Sequence, residues 1–141
     1  YNLLPVYTVF ENVEFALLLQ DHTREERRRA VMEALDWVGL TEKKDSRPSQ
    51  LSGGESQRVA IARARVKRPA LVLADEASVN LGAENSHNIL RTMLKLNEEL
   101  KTTFVVATHD EKVMQYLRRI VSLRDGQVEK DETPGVTNLN K

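Results

Sequence analysis

Two short apolar segments with a helical stretch between them constrain the fold of this 141-residue chain most strongly. Residues 71–75 follow Pro69, and residues 103–108 are rich in β-branched side chains, so both are predicted to be buried strands. Strand, helix and strand in this order form a βαβ unit, in which ligands bind at the carboxyl ends of the strands. The intervening helix is indicated by one face at helical spacing: Leu90, Met93, Leu94, Asn97 and Leu100.

Capping signals predict further helices before this unit. Thr8 with Glu11, and Thr23 with Glu26, are spaced as capping boxes, which predict helices over about residues 9–20 and 24–38. Gly39 stands where a helix stops in a left-handed turn. The other expected elements are a polar loop over residues 42–50, a helix over residues 55–66, a short helix over residues 111–117, and strands at residues 120–123 and 128–129 around an Asp125-Gly126 turn.

Composition excludes several classes of protein. Twenty-one Lys plus Arg balance 21 Asp plus Glu, so the chain is not a nucleic-acid-binding polycation. It has no cysteine, and its three histidines are scattered, which excludes a disulfide framework and a thiolate zinc site. Its longest apolar runs have five residues, against the ~20 that cross a bilayer. The opening Tyr1 and the lack of a signal-peptide pattern suggest part of a longer protein.

Ser52-Gly53-Gly54, directly before a predicted helix, is a candidate anion site. The serine offers a hydroxyl, the two glycines offer unshielded amides, and the helix start carries the positive end of its dipole. A Gly-Gly pair in a loop is more often a simple turn, so this segment alone does not establish a ligand.

Asp75, Glu76 and His109 follow the two predicted strands and therefore lie at the expected ligand edge. An acid at a strand tip can hold Mg²⁺ through water, and the next acid can deprotonate an attacking water. A histidine beside them can donate to a developing phosphate charge. Each residue taken singly is also compatible with a solvated polar position at a strand end.

Three segments occur in one order: LSGGESQR at 51–58, LVLADE at 71–76 and ATHD at 107–110. Together they resemble the nucleotide-binding domain of ABC transporters, in which they are the signature sequence, the Walker B strand with the catalytic glutamate, and the switch histidine. The resemblance covers nearly the whole chain. The opening YNLLPVYTVFENVEFALLL further resembles the stretch after the glutamine loop in the branch that serves lipoprotein release and macrolide efflux.

The resemblance implies a role for each motif. Ser52, Gly53 and Gly54 would grip the γ-phosphate of an ATP held by the opposite subunit of a two-fold dimer. Asp75 would hold Mg²⁺ through water, Glu76 would be the general base, and His109 would contact the γ-phosphate. A transmembrane subunit or domain would be the other partner, at the cytoplasmic face of the inner membrane, and no nucleic acid is expected.

The implied fold is α/β, an incomplete ABC ATPase of the P-loop NTPase type. Residues 1–66 would form the helical subdomain with the signature helix, residues 67–130 the carboxyl-terminal part of the parallel-sheet core, and residues 131–141 a loose tail. The P-loop pattern requires Gly-Lys, which occurs nowhere in the sequence. We therefore expect an inactive isolated chain with an exposed sheet edge and apolar surface, prone to dimerise or aggregate.

The segment after Glu76 departs from the family pattern. Gly82 replaces the aspartate that helps to couple the two sites across the dimer, and Ala77 replaces a proline that fixes the turn. The departure puts full coupling in doubt, although a tolerated variant is equally compatible with the sequence.

Two alternatives belong to other functional classes. DNA-repair and chromosome-organising ATPases carry the same motifs on a segment separated from the P-loop by a coiled coil, but the residues before Leu51 lack sustained heptads. The chain could also be a binding or regulatory fragment without catalysis of its own.

Overall fold

The computed structural model describes residues 2–75 and 83–134, and within the fourth helix it describes the side chains of residues 90–99. The order of elements among these residues confirms the predicted order. They are α1 Val9–Glu14, α2 Arg24–Trp37, α3 Gly53–Arg65, β1 Leu71–Asp75, α4 Ala83–Leu100, β2 Thr103–Ala107, α5 Glu111–Met114, β3 Ile120–Arg124 and β4 Gln127–Glu132. Short 3₁₀ turns at Phe15–Leu17, Thr41–Lys43 and Pro48–Gln50 occupy parts of the connections.

Each of the first three helices begins with a capping box, in which a hydroxyl residue and a glutamate each accept a hydrogen bond from the other's backbone amide. Thr8 and Thr23 form the two predicted capping boxes, each with the glutamate three residues later. Ser52 and Glu55 form a third one, so α3 begins at Gly53 rather than at the predicted residue 55. Gly39, at φ +68°, takes the left-handed conformation expected after α2.

The first helix is shorter than its apolar pattern predicts. The α-helix ends at Glu14 and tightens into the 3₁₀ turn Phe15–Leu17 instead of continuing to residue 20. Leu17 is buried, whereas Leu19 is fully exposed. The apolar run therefore continues beyond the part of it that packs on the core. The fifth helix likewise ends at Met114, before the predicted residue 117.

An apolar core lies among the first three helices. Val9 and Val13 of α1 pack with Leu35 of α2 and with Val59 and Ala62 of α3, all with 0% exposure. Full burial of one such branched side chain is worth about 1.5–3 kcal/mol, so these contacts stabilise the helical part of the chain.

Asn12 is a fully buried polar residue within this core. Its Oδ1 accepts a hydrogen bond from the Leu4 amide at 2.8 Å, and its Nδ2 donates to the carbonyls of Leu4, Tyr7 and Thr8 at 2.9–3.2 Å. The side chain thereby satisfies its own polar atoms and fixes the segment that leads into α1.

The strands β1 and β2 pair in parallel, as the βαβ pattern predicts, and Asp75 lies opposite Ala107. The expectation that both strands are buried is wrong. Leu71, Leu73 and Val105 are 53%, 74% and 53% exposed, whereas the alternate residues of each strand are half-buried. Among the described residues, Val106 packs on the cluster of α4 and α5 side chains, so one face of this sheet is covered and the other faces solvent.

The last two strands form the predicted hairpin. Asp125 and Gly126 have φ angles of +50° and +77°, as a primed turn requires. The antiparallel strands are longer than predicted, and β4 ends at Glu132. At the open end of the hairpin, Arg119 Nη2 lies 2.7 Å from Asp131 Oδ2, and this ion pair joins the two strands. Residues 135–141, most of the predicted tail, lie outside the described residues.

Candidate functional site

The start of α3 exposes the first part of the Ser52-Gly53-Gly54 segment. Ser52 and Gly53 are exposed, and Gly54 is buried. The amides of Gly53 and Gly54 belong to the first turn, where the helix itself offers them no carbonyl. An anion that approaches this helix start would meet the Gly53 amide and the Ser52 hydroxyl first.

Glu55 closes this turn and adds a negative charge to it. Its carboxylate accepts a hydrogen bond from the Ser52 amide at 2.8 Å, which holds the pKa of Glu55 below its usual value. Lys43 Nζ lies 3.9 Å from the same carboxylate and offsets part of its charge. The S-x-x-E spacing at residues 52–55 is the signal that could have revealed this cap from the sequence.

Asp75 and His109 emerge at the same edge of the β1–β2 sheet. Because Asp75 is paired with Ala107, His109 stands two residues beyond the paired position, and both side chains are exposed. The turn after β2 is ordered by hydrogen bonds, since the Asp110 amide donates to Thr108 Oγ1 at 3.1 Å and Asp110 caps α5. The pattern prediction of a common edge is therefore confirmed for these two residues.

Glu76 lies outside the described residues, as do Ala77 and Gly82. Glu76 directly follows Asp75, the last residue of β1. No group of three His, Cys, Asp or Glu side chains within the described part of the chain is arranged to hold a metal. A lone carboxylate at a strand tip suits Mg²⁺, which typically uses one or two carboxylates together with water and substrate phosphates. The donor set at Asp75 is therefore compatible with the predicted Mg²⁺.

A groove of about 870 Å³ opens between α1, the first half of α2 and the segment around Lys44. Its lining mixes apolar and charged side chains: Phe10, Glu14, Arg24, Glu25, Arg28, Arg29, Met32, Lys44 and Asp45. Sequence reasoning did not single out these residues, although the basic run at 27–29 was visible in it. The mixed lining suits a peptide surface better than a compact anion.

Residues 1–79 match the family model of the ABC transporters, which is more than half of the chain. The chain belongs to this family. Its most similar relatives include the cell division ATP-binding protein FtsE of Streptococcus pneumoniae, 43% identical over 96% of this chain and 59% of the relative. The lipoprotein-releasing system ATP-binding protein LolD of Idiomarina loihiensis is 41% identical over 94% and 58%.

Solved ABC cassettes share the fold. The ATP-binding cassette MJ0796, described as a dimer bound to ADP and Pi, aligns with a TM-score of 0.79 and 41% identity over 94% of this chain and 59% of its own. CbiO1 from Clostridium perfringens aligns with a TM-score of 0.86 and 28% identity over 94% and 53%. The predicted family and α/β ATPase fold are thus confirmed, and the chain spans somewhat more than half the length of these relatives.

None of the described helices of this ABC protein combines the length and apolar character needed to cross a bilayer.

Proposed function

We propose that this chain supplies the signature loop and the catalytic strand edge of an ATP-hydrolysing subunit that powers an ABC membrane transporter. The observation that carries the proposal is the parallel register of β1 and β2, which brings Asp75 and His109 to one edge. Two strand ends with an acid and a histidine suit phosphate chemistry, in which positioning and charge stabilisation dominate.

In this proposal each side chain at the edge has a separate role, which follows from its chemistry. Asp75 would hold Mg²⁺ through water, and the bound ion would supply positive charge beside the phosphates of the nucleotide. Glu76 orients the attacking water and accepts its proton. His109 donates a hydrogen bond to the γ-phosphate, whose negative charge grows as the bond to the leaving group breaks.

The Ser52 loop acts on a different ATP from the one that Asp75 serves. In our proposal the chain pairs with a second ATP-binding subunit around a two-fold axis, so each signature loop closes the site of the other subunit. The exposed residues Ser52 and Gly53 at the positive end of α3 support this role. The dimeric state of the related MJ0796 cassette is compatible with it.

A membrane component is the second proposed partner. The helical part of the chain presents the groove between α1 and α2, with a mixture of apolar and charged side chains that suits a helix of a transmembrane subunit or domain. The names of the relatives FtsE and LolD place them in cell division and lipoprotein release. We place the proposed subunit in the cytoplasm, peripheral to the inner membrane.

Hydrolysis by a version extended at its amino end with a P-loop segment from a relative tests the proposal. We expect Glu76→Gln to retain MgATP binding but to lower the hydrolysis rate at least about a hundredfold, because the general base is lost. Glu98→Gln, at an exposed position on α4, is the matched control and should leave the rate unchanged. Unchanged hydrolysis in Glu76→Gln would show that Glu76 is not the base.

Calorimetric titration of MgATP separates the chain's contribution from that of the P-loop. The 141-residue chain should not bind, whereas the extended version should. Binding by the short chain alone would contradict the assignment of the principal nucleotide site to a P-loop outside this sequence.

A further inference from the structure

The only tryptophan of the chain stands where three helices meet. Trp37 is the last residue of α2, and Arg65 is the last residue of α3. The Arg65 guanidinium carbon lies 5.0 Å from the centre of the Trp37 ring, and Lys95 Nζ of α4 lies 5.2 Å from it. We call Trp37, Arg65, Lys95 and Glu99 the Trp37 junction.

A directed hydrogen bond completes this junction. Trp37 Nε1 donates to Glu99 Oε2 at 2.6 Å, across 62 positions of sequence. Lys95 forms an ion pair with the same glutamate at 3.7 Å, one helical turn away. The indole therefore meets two cations at its ring and a carboxylate at its edge, an arrangement with a defined direction, unlike a simple apolar contact.

Arg65 is held in one place within the junction. Its side chain is only 9% exposed, and a guanidinium nitrogen lies 3.6 Å from the Glu33 carboxylate. Its Nε is buried and has no hydrogen-bond partner among the described residues. Since a buried guanidinium group is costly to leave without interactions, the Trp37 ring and Glu33 together account for its position.

The α4 side of the junction is tied to the sheet. Asn97 Nδ2, in the same turns of α4 as Lys95 and Glu99, donates to the Thr102 carbonyl at 2.8 Å. The buried Thr102 hydroxyl donates to the Pro69 carbonyl at 2.8 Å, just before β1. The junction thus connects the end of α3 to the frame from which β1 and β2 start.

We propose that the Trp37 junction is a positioning device, which sets the direction of α3 and so the place of the Ser52 loop relative to the strand edge of Asp75. The helix α3 has 13 residues, a length of about 20 Å, and the Ser52 loop is at the end remote from Arg65. A tilt of about 10° at Arg65 would move the loop by about 3 Å. An effect of the junction on ATP hydrolysis rests on the proposed function. Its effect on the position of the Ser52 loop does not.

The absence of cysteine allows a direct test of the geometry in the full 141-residue chain. Spin labels on Ser49→Cys, beside the loop, and Lys112→Cys, on α5, occupy exposed positions, and pulsed electron resonance gives the distribution of their distance. Glu99→Ala should shift or broaden this distribution by about 3 Å. Glu99→Gln, which keeps an acceptor for the indole, should restore most of it, and Trp37→Phe should resemble Glu99→Ala.

Glu129→Ala is the matched control, because Glu129 forms a comparable exposed ion pair at 3.0 Å with Arg124, within the hairpin. It should leave the distance distribution unchanged. A folded Glu99→Ala chain with a lower melting temperature but an unaltered distribution would reduce the junction to a purely structural contact and overturn the proposal. Because Glu99 is partly exposed, we expect its variants to retain the fold even if Trp37→Phe does not.

The kinetic consequence is tested in the version extended with a P-loop segment. Glu99→Ala should lower kcat about tenfold with little change in KM for ATP, because the displaced loop completes the site without forming its main contacts with the nucleotide. An unchanged kcat together with a shifted label distance would overturn the catalytic consequence alone. An extended version that hydrolyses no ATP would contradict the proposed function, while the label distances would still decide the geometry.

Discussion

Ser52 and Glu55 close the first turn of α3 reciprocally: the Ser52 amide donates to the Glu55 carboxylate at 2.8 Å, and the Glu55 amide donates to the Ser52 hydroxyl oxygen at 3.2 Å. The backbone amide of Ser52 lowers the pKa of the Glu55 carboxyl, and a hydrogen bond from the Ser52 hydroxyl adds to this effect. Because a hydroxyl group has one proton, donation to a phosphate would replace its hydrogen bond to the Glu55 carboxylate, whereas the cap on the Glu55 amide uses the hydroxyl oxygen and could persist.

Ser52→Ala is expected to remove both roles. Loss of the cap should destabilise the chain by about 1 kcal/mol, measured by urea unfolding, and loss of the donor should lower ATP hydrolysis in the extended version. Thr23→Ala removes an equivalent capping box at α2 and is the matched control. It should lower stability in the same way and leave hydrolysis intact. Equal losses of hydrolysis in both variants would assign the effect to helix stability.

The starts of the helices could be predicted because a capping box is a local pattern. Thr8 and Thr23 are each followed at a fixed distance by the glutamate that they pair with, and the structure forms both pairs. The end of α1 could not be predicted in this way. Leu19 continues the apolar run but is fully exposed. Whether such a residue is buried depends on neighbours from other parts of the chain, which a local pattern does not reveal.

The same distinction applies to the sheet and to the site. The parallel pairing that joins Asp75 to Ala107 follows from the βαβ order, whereas the exposure of Leu73 depends on what covers the sheet. Motif residues such as His109 could be identified from the sequence, because their residue type and their place after a strand are read directly from it. The contact between Trp37 and Glu99 spans 62 positions and has no sequence pattern of its own.

Acid should weaken the starts of the first three helices. The pKa values of Glu11, Glu26 and Glu55 lie below the usual 4.5, because each carboxylate accepts a hydrogen bond from the backbone amide of its capping residue. When the folded-state pKa is the lower one, the stabilisation is complete above the unfolded-state value and is lost as the pH falls through the folded-state value.

We therefore expect the urea midpoint, followed by Trp37 fluorescence, to fall as the pH drops below 4.5. A triple variant with glutamine at positions 11, 26 and 55 keeps hydrogen-bond acceptors but cannot titrate there. Its midpoint should depend less on pH over the same range. Identical pH profiles for the two proteins would show that other carboxyl groups control the acid response.

The uncovered face of the β1–β2 sheet should promote self-association. Leu73 and Val105 are paired across the two strands and are 74% and 53% exposed, with Leu71 beside them at 53%. Burial of contiguous apolar surface of this kind against another molecule lowers the free energy, because it removes that surface from water. In sedimentation velocity the sedimentation coefficient of the chain should therefore increase with concentration. Leu73→Gln combined with Val105→Thr should reduce that increase. Leu19→Gln, which changes a fully exposed leucine in the helical part, should not. A chain that stays monomeric at all concentrations would show that this face does not drive association.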